Sequence, residues 1–232
     1  MMRMVKAFLV VGMTAFAPGF VWAQESSTFK VEPLKEAAPK ELSKAIRETL
    51  SPTGFRVVDD QGKPVIDVWV RKTVPVAAKP SGPSGPVLFP VLNQGELVGA
   101  LRRHVEGRDF RDQTIAPGVY TLRYGLQPVN GDHLGTSATR DFLLGSQASK
   151  DVLIDPVAEK PLSKQSAEAA GTNHPAVMQL IQPPAGSTPP AIGRDEAKNQ
   201  WGVVVSFDLA VKGEAKRVPL AVQIVFEGIG MI

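Results

Sequence analysis

Along residues 39–50 the apolar positions follow the period of a helix. Leu42, Ala45, Ile46, Thr49 and Leu50 fall at i, i+3, i+4, i+7 and i+8, with Lys40, Glu41, Lys44, Arg47 and Glu48 on the other faces. This spacing predicts one short amphipathic helix. Pro39 suits its first turn, and Pro52 ends it by pushing Ser51 out of the helical region. From Gly54 onward the period becomes two. Residues 55–58 and 65–71 read as strands around the turn Asp59-Asp60-Gln61-Gly62, with Ile66, Val68 and Val70 on one face and Asp67, Trp69 and Arg71 on the other.

The same alternation recurs in Tyr120, Leu122 and Tyr124, after the turn signal Ala116-Pro117-Gly118. It is longest at the C-terminus. Val203, Val205, Phe207, Leu209 and Val211 precede a polar turn at 212–216, and Val218, Leu220, Val222, Ile224 and Phe226 follow it. Ten alternating apolar positions predict a half-buried antiparallel hairpin. Further strands are predicted over 87–92, 96–103, 141–144, 152–154 and 175–182, and a weak, exposed helix over 158–170. Residues 24–38 read as a mobile arm. Residues 74–86 and 183–193, dense in Pro, Gly and Ser, read as loops that cannot pair in the centre of a sheet.

Composition agrees with many short elements. Of 232 residues, 21 are Gly and 20 are Pro, together well above the average share of about 12%. The expected fold is all-β: an antiparallel, immunoglobulin-like β-sandwich with one N-terminal amphipathic helix and long Pro/Gly-rich loops. The expected division is a signal peptide over 1–23, an arm and helix over 24–53, and a sandwich domain over 54–232.

The first 23 residues set the compartment. Arg3 and Lys6 precede a largely apolar stretch, and Val21-Trp22-Ala23 presents the small residues that a signal peptidase reads. A cleaved export signal follows, with Gln24 as the first mature residue and a periplasmic or secreted location. No later segment is apolar and long enough to span a membrane. Removing Arg3 and Lys6 from the 26 basic residues leaves them almost matched by the 23 acidic ones. The basic residues are scattered, so no field builds up to gather nucleic acid. There is no cysteine, which excludes disulfides, thiolate metal sites and a cysteine nucleophile.

Candidate chemistry is sparse. The sequence holds three histidines, His104, His133 and His174, and none has a second histidine at metal-ligand spacing. Asp132-His133 sits in a loop over 128–139 that Asn130-Gly131 and Gly135 allow to fold back, and loops of that length often carry function. The candidate binding residues are therefore Asp132, His133, Asp141 and His174. They would form a ligand or weak metal pocket, or else Asp132 and His133 would satisfy loop backbone groups. No nucleophile elbow, phosphate loop or dinucleotide fingerprint occurs, so no cofactor is expected.

The stretch Asp109 to Tyr124, with Gly131-Asp132-His133-Leu134-Gly135, Arg140-Asp141-Phe142-Leu143-Leu144 and Asn173-His174-Pro175, resembles a group of uncharacterised exported bacterial proteins. The resemblance implies export and carries over no catalytic residue. Gly62-Lys63-Pro64-Val65 before Val68-Trp69-Val70 resembles the strand openings of immunoglobulin-like and transthyretin-like modules. The expected function is an exported, non-catalytic binding or structural protein of the cell envelope, whose partner is an envelope protein, a polymer or a small ligand. The alternative is a hydrolase or metal-dependent enzyme with a site around Asp132 and His133.

Overall fold

The computed structural model describes residues 28–133 and 135–228; the expected signal segment lies outside them. Thirteen strands and two helices follow one another: β1 (Lys30–Leu34), α1 (Lys44–Thr49), β2 (Gly54–Val58), β3 (Pro64–Val70), β4 (Val74–Val76), β5 (Leu97–Arg103), β6 (Gly107–Arg108), β7 (Thr114–Ile115), β8 (Gly118–Leu126), β9 (Asp141–Gln147), α2 (Glu159–Ala170), β10 (Ala176–Ile181), β11 (Ala191–Asp195), β12 (Gln200–Val211) and β13 (Val218–Glu227). The chain is mostly β, as its alternating patterns require.

Eleven strands form one curled sheet in the order β1-β2-β3-β5-β8-β9-β10-β13-β12-β11, and β4 adds to β12. Its curl depends on β10, which pairs with β9 through Ala176–Gln179 and with β13 through Leu180 and Ile181. One strand thereby joins two facing halves. Between them lies the central core, in which Val57, Ile66, Val68, Leu122 and Tyr124 face Val203, Val205, Phe207, Val222, Ile224 and Phe226. All ten alternating residues of the C-terminal hairpin belong to this core, with Val218 and Leu220 only partly buried.

Several expectations need correction. The sheet is mixed, because β4 runs parallel to β12, Leu209 to Val211 pairing with Val74 to Val76. Pro75 is tolerated there since β4 is three residues long and lies off the main strand path. The arm over 24–38 is not loose throughout: β1 pairs antiparallel with β2, and Phe29 packs edge-on against Trp201 and Phe226, with centroids 5.3 and 5.2 Å away. Residues 87–92 form turns instead of a strand, and Val152, Leu153 and Ile154 are an exposed loop. Pro-flanked β11 is a strand hidden by its surroundings in sequence. Among the described residues, no helix is long and apolar enough to cross a membrane.

Both helices cover the outer surface of the sheet. Helix α1 is shorter than its periodicity suggested, because Ser43 caps it, its hydroxyl accepting from the Ile46 N–H at 3.2 Å. Leu42, Ile46 and Leu50 pack with Trp69, Leu97 and Ala100 in a second core. This explains why Trp69, predicted on the polar face of β3, is wholly buried. Helix α2 is not exposed on all sides: Leu162 packs on Phe142 and Leu144 of β9 in a third cluster. Gly171 ends it in the left-handed conformation (φ 66°), its N–H reaching back to Ala167 and Glu168.

The segment leading into α2 is fixed from beneath by Arg123, whose guanidinium is fully buried. Its Nε and Nη2 donate to the two carboxylate oxygens of Asp151 at 2.6 and 2.9 Å. Nη1 donates to the carbonyls of Gly95 and Asp155, and Nη2 also to that of Leu153. Thr121 donates its hydroxyl to the same Asp151 carboxylate. Arg123→Met leaves that carboxylate buried without its cation, a loss of about 3–5 kcal/mol. Urea denaturation should show a midpoint lowered accordingly, and Arg123→Met with Asp151→Leu should recover part of it. A single variant as stable as the parent would contradict this.

Candidate functional site

Residues on β9 alternate between two apolar environments. Leu143 points into the central core, while Phe142 and Leu144 face outward under α2. Beside them on β8 stands Gly125, paired with Phe142. A Cβ at Gly125 would come within 2.5 Å of Leu144 Cδ1, so a side chain there would fill the space above the strand. The hollow that results has a volume of about 450 Å³ and lies between α2, the strands β8 to β10 and two loops. Phe110, Phe142, Leu144, Leu162 and Val177 supply much of its wall. Phe110 and Phe142 meet edge to face, with centroids 5.0 Å apart.

Polar groups enter the lining from the loops. Arg111 comes from the turn after β6, His133 from the loop after β8, His174 from the segment after α2, and Glu159 from the start of α2. The first and third are stitched together. Asp109, buried, accepts from the backbone N–H groups of Arg111, Gln113 and Val177 and from the Gln113 side chain. Gln113 Nε2 also donates to the Pro175 carbonyl at 2.8 Å, and Thr172 donates its hydroxyl to Gln113 Oε1. A carboxylate that accepts several N–H bonds is a strong local organiser, and this one holds the Arg111 turn against the His174 segment.

The sequence-selected residues separate. His133 and His174 both line the hollow. His133 closes a 3₁₀ turn over Gly131–His133, with a ring nitrogen bonded to Asn130 Oδ1, and Thr136 donates to its carbonyl at 3.0 Å. Asp132 occupies the middle of that turn, and its side chain lies outside the described residues. Asp141 is elsewhere. It is fully buried and accepts from the Leu88 and Phe89 N–H groups and the Tyr124 hydroxyl at 2.7, 3.0 and 2.7 Å. Those bonds tie the Pro-rich segment before β5 to the sheet, so Asp141 is a structural residue and not a wall of the site. Burial first, and then Asp141, holds the Tyr124 phenol far above its ordinary range, so that it donates throughout the physiological pH range.

His104 lies apart from this hollow, its Nε2 2.8 Å from Asp67, which Arg56 also grips with two bonds at 2.7 and 2.9 Å. Among the described residues, no group of three or more His, Cys, Asp or Glu side chains is arranged to hold a metal ion. Sequence reasoning missed Phe110, Arg111, Phe142 and Leu162. The one available signal was Phe142-Leu143-Leu144, where consecutive apolar residues mean that both faces of the strand are covered.

Comparison with protein-family models, with curated proteins and with solved structures gives no match. The reading of the site therefore rests on its own geometry. Gln113→Ala removes the bridge between Asp109, Thr172 and Pro175 without touching the core. Hydrogen exchange should then quicken over 109–113 and 172–177 and stay unchanged in β12 and β13. Equal acceleration in β12 would show that Gln113 supports the whole fold instead.

Proposed function

We propose that this chain is an exported, non-catalytic binding protein of the cell envelope that holds a small, largely apolar ligand in the hollow beneath α2. The single observation behind this is the open apolar volume itself. Its 450 Å³ falls within the range of ligand sites, roughly 300–1,000 Å³. Phe110, Phe142, Leu144 and Leu162 present apolar surface to it, which an apolar ligand would take out of water. Polar side chains enter the lining from α2 and from loops, two of them held by Asp109 and Asn130, an arrangement suited to orienting a ligand.

The proposal extends to the architecture and location. The facing sheet halves joined by the corner strand β10 support an elaborated immunoglobulin-like sandwich. The pattern of Arg3, Lys6 and Val21-Trp22-Ala23 supports export. N-terminal sequencing of the native protein should begin at Gln24, in the soluble fraction outside the cytoplasm; an intact Met1 in a membrane pellet would sink this part.

Binding is tested with N-phenyl-1-naphthylamine, an uncharged probe that fluoresces in apolar surroundings. The protein should give a saturable rise in emission. Ser163, partly buried on the cavity side of α2, offers a place to fill the space: Ser163→Trp should abolish the rise while shifting the melting temperature by no more than about 4 °C. A signal that does not saturate, or that survives Ser163→Trp unchanged, would refute the binding reading.

A further inference from the structure

The lining of the hollow is chemically uneven, and the unevenness bears on what its ligand carries. Arg111 is exposed, and its guanidinium has no ion pair and no hydrogen bond among the described residues. The ring of His174 likewise has no hydrogen-bond partner among them; only its backbone is engaged, by Thr172. These two belong to one rim, because Asp109 and Gln113 bind the turn of Arg111 to the segment of His174. Glu159 is the one carboxylate in the lining among the described residues. It stands at the first position of the twelve-residue helix α2, where the positive end of the helix dipole offsets its charge.

We propose that the hollow takes an amphiphile: its apolar chain lies against Phe110, Phe142, Leu144 and Leu162, and its carboxylate head is held by Arg111 and His174. This rests on the reading of the hollow as a binding site and adds the charge and polarity of what is bound. A guanidinium presents its donors in a fork that matches both oxygens of a carboxylate, and an imidazole N–H supplies a further donor. A wholly apolar ligand would leave the donors of Arg111 and His174 at the rim unused. The amphiphile satisfies both halves of the lining at once, and it fixes which end of the ligand faces the Arg111 rim.

Calorimetric titration of the protein with decanoate and with decanol, both below their aggregation limits, compares heads on one chain length. Decanoate should bind about tenfold more tightly than decanol. Arg111→Gln should bring decanoate down to the level of decanol and leave decanol unchanged, and its exposed position keeps the fold intact, which a melting curve verifies. Glu159→Gln should tighten decanoate further. Equal affinity of the parent for the two ligands, or a preference for decanoate that survives Arg111→Gln, would overturn the carboxylate assignment and leave the apolar binding site standing. Failure of both ligands to bind would overturn the binding reading, and this assignment with it.

Discussion

The buried ion pair between Arg123 and Asp151 is the constraint on which the outer half of the molecule depends. A guanidinium has five N–H donors and no acceptor, and taking it out of water costs several kcal/mol unless they are answered. Here Asp151 and the carbonyls of Gly95, Leu153 and Asp155 answer them. The same Gly95 carbonyl receives the N–H of Val157 at 3.1 Å. Gly95 has φ 80°, and a Cβ on it would fall 1.9 Å from the Val157 carbonyl oxygen, so only glycine permits this approach. From Arg123 through Gly95 to Val157 the contacts set where α2 begins. The position of α2 in turn sets the roof over Phe142 and Leu144. The hollow thus depends on an ion pair that lies outside its own lining.

Buried carboxylates do related work at several other places. Asp67 is gripped by Arg56 and His104, Asp109 gathers three backbone N–H groups, and Asp141 holds Leu88, Phe89 and Tyr124. Each sits at an end or outer face of a strand and ties a neighbouring turn or strand to it. In a chain without cysteine these are the available staples. A carboxylate bonded to several donors fixes their geometry, so the turn at 109–113 and the segment before β5 become fixed walls.

Legibility in the sequence followed the number of faces a strand buries. The C-terminal hairpin was plain because Val203 to Phe226 alternate over ten positions, and the core is built from those side chains. Trp69 and Asp67, set opposite Ile66, Val68 and Val70, are both buried, since alternation reports only that one face is apolar and says nothing of what covers the other. Strand β4, with Pro75 at its centre, and strand β11, just after Pro189-Pro190, gave no periodic signal because each is short and draws its pairing from β12. For the site, the histidines at 133 and 174 were visible as rare residues in loops. The apolar wall was not, because Phe110 and Leu162 come from segments separated from β9 in sequence and look like ordinary core residues. Asp141 looked like a ligand for want of any sign that Leu88 and Phe89 would turn back to meet it.

The corner strand β10 also orders events in time. A chain made or threaded from its N-terminus presents β1 to β9 first, and these strands can pair with one another through hairpins and short returns. Yet β4 needs Leu209 to Val211, and the far end of β10 needs Gln223 and Ile224. The hydrophobic face of the first half therefore stays open until Val203 to Phe226 are available. The contact of β4 with β12 closes a loop of more than a hundred residues and is slow to form. Pairing of β12 with β13 then closes the core, and removal of β13 would take Val222, Ile224 and Phe226 out of it.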